Sequence, residues 1–477
     1  MENTNERKRQ RDDRWPLAAL AMAMLLSSMG VSIANVVLPT LAAEFDAPFG
    51  DVQWVVLAYL LAVTTMVVGA GRLGDMFGHR RMLLGGLSAF ALGSLLCAMV
   101  ATLSALVAAR AVQGAGAAVL MAGTVALVRE TVPRQRTGSA MGLLETTSAI
   151  GTALGPSLGG IMIASFGWRA VFLVMLPLSL LAFAVAHRHL PEPINAESAD
   201  AARRPFDTTG TALLCLVLGA YAFSMTLGRG FGASNGLLLL AAGVGVVLFA
   251  WVEARQDAPL IDLHAFRDTA LNASLLMNAF VAAVMMATLV VGPFYLSLGL
   301  GIGPSHLGLV MSTGPVISTL TGVPAGRLVD RFGPSRIAVG GLLALSVGSL
   351  GLSVLPEVMG IAGYVVAIAV LTPGYQLFQA ANNTMVMIDI ADERRGVISG
   401  LLSLSRNLGL ITGASAMGAL FAFASGSSNM AAAGRDGVAD GMQVTFAAAA
   451  GMMIVALGAG FAGRAFGTGS SSRNLPK

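Results

Sequence analysis

The fold is decided by a stretch that occurs twice, first as Gly71-Arg72-Leu73-Gly74-Asp75-Met76-Phe77-Gly78-His79-Arg80-Arg81 and again as Gly326-Arg327-Leu328-Val329-Asp330-Arg331-Phe332-Gly333-Pro334-Ser335-Arg336. Seven of the eleven positions are identical at an offset of 255. Glycines further along recur at an offset of 258: Gly116, Gly138, Gly151 and Gly155 return as Gly374, Gly396, Gly409 and Gly413. The chain is therefore predicted to contain two copies of one structural unit.

Long apolar runs surround both copies. The 477 residues are 55% hydrophobic and 11% charged, whereas soluble chains have roughly 25% charged residues. A membrane-spanning helix needs about 20 mostly apolar residues, and fourteen such windows occur along the chain. Because lipid satisfies no backbone polar groups, these windows predict an all-α integral membrane protein.

The repeat pairs spans 1–6 with spans 9–14 and leaves two spans without a counterpart. This predicts two six-helix bundles plus two inserted central helices, 14 transmembrane helices in all. The expected domains are the N-terminal bundle (1–187), a cytoplasmic connection (188–207), the inserted helices (208–256) and the C-terminal bundle (257–477). Parallel repeats of this kind are typical of rocking transporters, whose site lies where the repeats meet.

The placement of basic residues predicts the orientation. With an even number of spans both termini lie on one side, and a cytoplasmic location puts most of the 29 Lys and Arg inside, as the positive-inside rule requires. We expect a multi-pass protein of a bacterial inner membrane with both termini in the cytoplasm. The basic residues are explained by these loops, and nucleic acid is not an expected partner.

The stretch 71–81 resembles the loop signature of the major facilitator superfamily, and the resemblance extends over nearly the full chain. It implies a major facilitator fold in which a charged loop locks one conformational state. The residues of this gating motif are Gly71, Arg72, Gly74, Asp75, Gly78, Arg80 and Arg81, with Asp330 and Arg336 in the second copy.

Two further motifs resemble those of drug–proton antiporters. The fourth span carries Leu106-x-x-x-Arg110-x-x-Gln113-Gly114-x-Gly116, and the fifth carries the antiporter motif Gly151-x-x-x-Gly155-Pro156-x-x-Gly159-Gly160. With the fourteen spans, they resemble the fourteen-span, multidrug-efflux branch. The resemblance implies secondary active efflux of hydrophobic or cationic drugs or toxic small molecules, by proton antiport with alternating access. A dedicated exporter of one metabolite or natural product, and a non-transporting sensor or partner of transporter fold, are the alternatives.

The first span departs from that branch, which usually carries an Asp where this chain has Gly30. Glu145 in the fifth span is the carboxylate that we place well inside a span. An ionisable residue there costs roughly 2.5–3.5 kcal/mol on insertion scales, and burial favours its protonated form. Glu145 is therefore the proton-coupling candidate, with a gate-side ion pair or a packing hydrogen bond as the alternative.

Polar residues within spans are the candidates for lining a cavity. Four of them, on the twelfth span, follow the spacing i, i+3, i+6, i+7, which favours one helix face. The cavity or substrate candidates are Asn35, Arg110, Gln113, Gln376, Gln379, Asn382, Asn383 and Arg406. Polar packing between helices is the alternative for each.

The sequence offers no catalytic constellation. It contains no P-loop, and its five His form no metal-ligand cluster. We therefore expect no enzymatic activity, no metal and no cofactor. The expected partners are a small-molecule substrate, protons and the lipid bilayer, and we expect a monomer.

Overall fold

The computed structural model describes residues 14–132, 137–191, 208–226, 233–256, 266–387, 392–427 and 429–470. Fourteen helices among these residues are long and apolar enough to cross a membrane, which confirms the predicted all-α membrane fold. Most of the predicted connection 188–207 lies outside the described residues.

The spans follow one another in chain order. The first five are Arg14–Glu44, Phe49–Phe77, His79–Met99, Leu103–Thr131 and Thr137–Phe166, and the sixth has two pieces, Arg169–Leu173 and Met175–His189. The seventh and eighth are Thr208–Thr226 and Ala233–Glu253. The ninth to twelfth are Thr269–Phe294, Pro304–Phe332, Pro334–Met359 and Ile361–Met387. The thirteenth contains Asp392–Thr412 and Gly418–Ala424, and the fourteenth is Met430–Ser470.

Glycine makes the same tight turn in both copies of the repeated stretch. Gly78 (φ 88°) separates the second and third spans, and Gly333 (φ 83°) separates the tenth and eleventh. Residues with a side chain are strained at such angles, whereas glycine adopts them freely. These two identities in the repeat are therefore requirements of the backbone.

The helices divide by their contacts into two units. Unit 1 comprises Met1–Asp46, Trp54–Leu216 and Pro304–Ser312, and unit 2 comprises Ala47–Gln53, Val217–Gly303 and Thr313–Lys477. The second span therefore contributes its first residues to unit 2 and the remainder to unit 1. The tenth span contributes its beginning to unit 1.

Within unit 1, the third and fourth spans cross through glycines. A Cβ atom on Gly93 would lie 2.6 Å from the backbone nitrogen of Gln113, and one on Gly116 would lie 2.5 Å from that of Phe90. Side chains at these positions would push the helices apart, so small residues set the close approach.

The eleventh and twelfth spans cross in the same way within unit 2. A Cβ atom on Gly348 would lie 2.8 Å from the backbone nitrogen of Leu371, and one on Gly374 would lie 3.0 Å from that of Leu345. Each of these four positions is the repeat partner of one named for unit 1, at an offset of 255 or 258. The sequence repeat is thus a repeat of helix crossings.

The two central spans are strongly exposed. Large apolar side chains stand free along them, including Leu216 (70% exposed), Leu237 (68%) and Val247 (68%). Such a surface is suited to lipid and would be costly in water.

Candidate functional site

The turn after the second span joins the ends of three helices. His79 Nδ1 lies 2.7 Å from Glu130 Oε1 near the end of the fourth span. Arg80 Nη2 donates to the carbonyl oxygen of His187 in the sixth span, at 2.7 Å. Polar groups of the loop motif therefore tie the third, fourth and sixth spans of unit 1 together.

The second copy of the motif lacks this ion pair. Pro334 stands at the position of His79, and both Asp330 and Arg336 are exposed. In the first copy, the side chains of Arg72 and Asp75 lie outside the described residues. In the second copy, Ser335 Oγ donates to Met385 Sδ of the twelfth span at 3.6 Å, so the two copies make different polar contacts.

A fully buried cation lies inside unit 1. Arg110 is 0% exposed; its Nε donates to the Val55 carbonyl oxygen (2.8 Å) and its Nη2 to that of Gly30 (3.0 Å). Its Nη1 donates to Gln113 Oε1, and its guanidinium carbon lies 4.3 Å from the centroid of the Tyr59 ring. The charge is thus compensated by dipoles and a ring face, which links the first, second and fourth spans.

The network continues into the third span. Gln113 Nε2 donates to Ser94 Oγ at 2.8 Å, and Ser94 Oγ donates to the Phe90 carbonyl oxygen at 2.7 Å. The repeat partner of Gln113 is Leu371. The repeat partner of Ser94, Ser349, is buried and has no hydrogen-bond partner among the described residues. This buried network is therefore particular to unit 1, and Ser94 is a member that the sequence pattern did not indicate.

The space beside Gly30 is already filled. A Cβ atom there would lie 2.8 Å from Tyr59 Oη and 3.2 Å from Phe90 Cε2. Tyr59 Oη donates to the Ser27 carbonyl oxygen at 2.8 Å. The side chains of Tyr59 and Phe90 thus fill the space in which a side chain at position 30 would lie.

The antiporter motif packs the fifth span against the first. A Cβ atom on Gly151 would lie 2.6 Å from the Leu25 carbonyl oxygen, and one on Gly155 would lie 2.8 Å from the Ile33 backbone nitrogen. Gly159 faces the Ile33 side chain, at 3.1 Å from such a Cβ atom. The motif residues are thus required to be small by their neighbours in unit 1.

The remaining two motif residues approach the beginning of the tenth span, within unit 1. A Cβ atom on Gly160 would lie 2.9 Å from the Gly308 Cα atom, and one on Gly308 would meet the Pro156 carbonyl oxygen. These glycines allow the two backbones to touch.

Glycines of the second half have the same role in unit 2. A Cβ atom on Gly409 would lie 2.7 Å from the Ala282 Cβ atom, and one on Gly413 would lie 2.7 Å from the Met286 Cβ atom. The thirteenth span therefore approaches the ninth as the fifth approaches the first.

Asn35 is buried in unit 1. It is 0% exposed. Its Nδ2 donates to the Val31 carbonyl oxygen of its own helix at 2.9 Å, while its Oδ1 is buried without a hydrogen-bond partner. In this structure, Asn35, Arg110 and Gln113 thus face the interior of unit 1.

The twelfth span of unit 2 carries the predicted polar face. Gln376 Nε2 donates to Ser318 Oγ of the tenth span, and Gln379 Nε2 donates to Tyr375 Oη at 3.2 Å. Asn383 is exposed, whereas Asn382 is 0% exposed.

Two other candidates lie in the fifth and thirteenth spans. Glu145 belongs to the fifth span, ten residues before Gly155, or about 15 Å along a helix; its side chain lies outside the described residues. Arg406 is an exposed residue of the thirteenth span.

Gln53 was not among the predicted site residues. It is 1% exposed, and its Nε2 donates to the Ala414 carbonyl oxygen at 2.7 Å. Ala414 lies in a π-helical turn of the thirteenth span, Gly413–Met417, and a π-helical turn disturbs the regular hydrogen-bond ladder. Phe49 lies one helical turn before Gln53. Within unit 2, its ring contacts the Phe294 ring edge to face, with the ring centroids 4.7 Å apart. A helical pattern of apolar residues does not predict where a π-helical turn occurs, so this contact had no signal in the sequence.

Comparison with protein families gives one clear assignment. The model described as Major Facilitator Superfamily matches residues 20–414, and it matches again over residues 274–474. The second match begins near the ninth span, in agreement with the internal repeat.

Two curated relatives are similar over most of the chain. The riboflavin transporter RibZ of Clostridioides difficile is 28% identical over 408 residues, which cover 85% of this chain and 88% of the relative. The multidrug resistance protein Stp of Mycobacterium tuberculosis is 30% identical over 410 residues, which cover 85% of this chain and 75% of the relative.

A solved structure shares the fold. The inward-facing, unoccupied structure of a bacterial homologue of the human lysosomal transporter Spinster has a TM-score of 0.69 at 15% identity, and covers 95% of this chain and 97% of its own. The multidrug-resistance relative and the fourteen helices agree with the fourteen-span drug–proton antiporter branch. This multi-pass membrane protein belongs to the Major Facilitator Superfamily.

Proposed function

We propose that the protein is a secondary active exporter, which expels hydrophobic drugs or toxic small molecules by proton antiport with alternating access. The observation that carries the proposal is the antiporter motif of the fifth span, whose glycines make backbone-close contacts with the first and tenth spans within unit 1. The relative named as a multidrug resistance protein supports the direction of transport.

Glu145 is the group that we propose for proton coupling. The related branch carries a carboxylate at position 30, and here that space is filled by Tyr59 and Phe90. A proton carrier must therefore lie elsewhere, and Glu145 is an acidic residue in the body of a span. Protonation on one side of the membrane and release on the other would drive export.

The test is drug accumulation in bacterial cells that lack their own efflux pumps. Cells with and without the protein receive ethidium and chloramphenicol, and cell-associated drug is measured by mass spectrometry, with and without a protonophore. Export predicts lower accumulation of at least one compound and loss of that difference with the protonophore. Equal accumulation of every compound, with the protein present in the membrane, would contradict the proposal.

The coupling role of Glu145 has its own experiment. In everted vesicles, Glu145→Gln is expected to abolish drug-induced proton efflux while leaving drug binding measurable. Glu44→Gln is the matched control, because Glu44 ends the first span and pairs with Arg169 at 3.8 Å. Full proton coupling in Glu145→Gln would remove Glu145 from the mechanism.

A dedicated exporter of a single compound is the second candidate. It is favoured by the relative named as a riboflavin transporter, whose name states one substrate. Measuring the breadth of exported compounds in the same cells separates the two candidates.

We also propose an inner-membrane location with both termini in the cytoplasm, from the distribution of basic residues. A fluorescent-protein fusion to the C-terminus is expected to fluoresce, whereas a periplasmic alkaline phosphatase fusion there is expected to be inactive. The opposite pair of results would invert the topology.

A further inference from the structure

The twelfth span presents uncharged hydrogen-bonding groups on one side. At 100° per residue, five residues fall within an arc of about 120°. They are Tyr375, Gln376, Gln379, Asn382 and Asn383, and we call them the amide face. Each contributes a neutral donor and acceptor, so the face carries no charge of its own.

The side of the helix next to the amide face packs against the eleventh span. Glycine and apolar residues there contact the eleventh span: Gly374 approaches the Gly341 carbonyl oxygen, and Leu371 fits against Gly348. Asn382 lies at the border between this packed side and the amide face, which explains why it is buried while Asn383 is exposed.

Some polar atoms of the amide face are buried without partners. Both Oδ1 and Nδ2 of Asn382 and Oε1 of Gln379 have no hydrogen-bond partner among the described residues. Buried amide groups are normally paired, because desolvating them without a partner is unfavourable. These atoms form a donor and two acceptors that a bound molecule is able to satisfy.

The first half of the chain has no such face. The repeat partners of these five positions, at an offset of 258, are Ala117, Ala118, Met121, Thr124 and Val125. The helix crossings recur between the halves, whereas the amides do not. The architecture therefore does not require the amides, which separates them from the packing residues.

The charges in unit 2 do not favour a cationic ligand. In the spans described for unit 2, every acidic residue lies in the first or last third of its span, and Arg406 lies in the middle third of the thirteenth span, 392–424. Among the described spans of unit 2, the middle thirds thus carry no carboxylate that would attract a lipophilic cation.

We infer that the amide face binds the substrate and selects an uncharged molecule with an apolar body and amide, hydroxyl or carbonyl groups. The inference rests on the proposed export function and names its substrate class. A neutral polar ligand satisfies the amide atoms of Gln379 and Asn382, whereas a cation without donors or acceptors leaves them unpaired.

The test is radioligand binding to the purified protein in nanodiscs. Chloramphenicol is the uncharged, amide- and hydroxyl-bearing probe, and tetraphenylphosphonium is the cation without hydrogen-bonding groups. The wild-type protein is expected to bind chloramphenicol more tightly. Gln379→Leu and Asn382→Leu are each expected to weaken it by about tenfold, the equivalent of one hydrogen bond. Gln379→Glu is expected to strengthen tetraphenylphosphonium binding.

The control is Thr384→Val on the same helix. Thr384 Oγ1 donates to the Ala380 carbonyl oxygen of its own helix at 2.8 Å, so its loss is expected to leave both affinities unchanged. Gel filtration of every variant identifies any that fail to fold, and the other leucine variant then decides the test.

Two results would overturn the inference. The first is a wild-type protein that does not bind chloramphenicol, or that binds tetraphenylphosphonium at least as tightly as chloramphenicol. The other is unchanged chloramphenicol binding in the folded leucine variants. Drug export in the accumulation experiment would leave the proposed function standing in either case, so the two failures are distinguishable.

Discussion

The Arg110 network makes a prediction that the internal repeat itself supplies. In the second half, the positions of Arg110 and Gln113 are occupied by Ile368 and Leu371. The substitutions Arg110→Ile and Gln113→Leu therefore introduce into the first half the apolar residues that the second half has at these positions. We expect each single variant to be destabilised, and the double variant to be destabilised by less than the sum.

The magnitude follows from the hydrogen bonds. Arg110→Ile removes three hydrogen bonds from a charged donor and leaves the Gln113 amide oxygen stranded. Losing a hydrogen bond to a charged group costs about 1.5–3 kcal/mol. Gln113→Leu leaves one guanidinium N–H without its acceptor, at about 1–3 kcal/mol. In the double variant neither the Gln113 amide oxygen nor the Arg110 guanidinium N–H is present. The loss of stability in the double variant is therefore expected to be smaller than the sum of the two single losses by about 1–3 kcal/mol.

The assay uses the two native cysteines. Cys97 is buried in the third span and Cys215 is exposed, so in a Cys215→Ser background a thiol-reactive dye reports the unfolding of unit 1. The expected shifts in melting temperature are about 2 °C per kcal/mol or less for a chain of this size. Val112→Ala is the control, because Val112 is 38% exposed on the same span.

Strict additivity of the two substitutions would refute the reasoning. It would mean that Arg110 and Gln113 contribute independently, in contradiction to their direct hydrogen bond. A wild-type melting temperature in Arg110→Ile would show that the network does not hold the first, second and fourth spans together.

Three further predictions concern packing. Gly155→Ala is expected to lower the melting temperature by several degrees, because the new Cβ atom would meet the backbone of the first span. Gly142→Ala in the fifth span is the control, since Gly142 has open space around it, and it is expected to change the melting temperature little. Equal effects of the two substitutions would contradict this prediction. Gly30→Asp is expected to destabilise unit 1, because the new side chain would collide with the Tyr59 hydroxyl group. Adding Tyr59→Phe to this variant removes the hydroxyl group and is expected to recover part of the lost stability. The rate at which the dye labels Cys97 measures the stability of both variants, and a failure to recover would show that the collision with Tyr59 is not the cause. Gln53→Ala is expected to cost about 1 kcal/mol through the lost hydrogen bond to the π-helical turn, and a melting temperature equal to the wild type would show that this bond contributes nothing.

The helices and the repeat were predictable because their signals are local. Lipid forces each apolar run of sufficient length to satisfy its own backbone hydrogen bonds, so composition alone specifies fourteen helices. The paired turns at Gly78 and Gly333 were also predictable, because backbone positions with positive φ angles favour glycine.

The candidate site could be predicted only in part from the sequence. Helical spacing placed four polar residues of the twelfth span on one side, and the structure keeps them there. The same reasoning assigned Arg110 to a cavity candidate list without indicating its partners, because the acceptors Val55 and Gly30 are backbone carbonyls of other spans. Carbonyl oxygens have no sequence signature.

What the sequence by itself determined is therefore the set of spans, their pairing by repeat and the positions that must be small. The tertiary structure decided which backbone each glycine touches, that Arg110 is held without a carboxylate, that Tyr59 fills the space beside Gly30, and that Asn382 is buried without partners. The physical reason is that hydrophobicity and backbone strain act within one helix. Hydrogen bonds and close packing in this protein join helices that are distant along the chain, and only their assembly determines which groups meet.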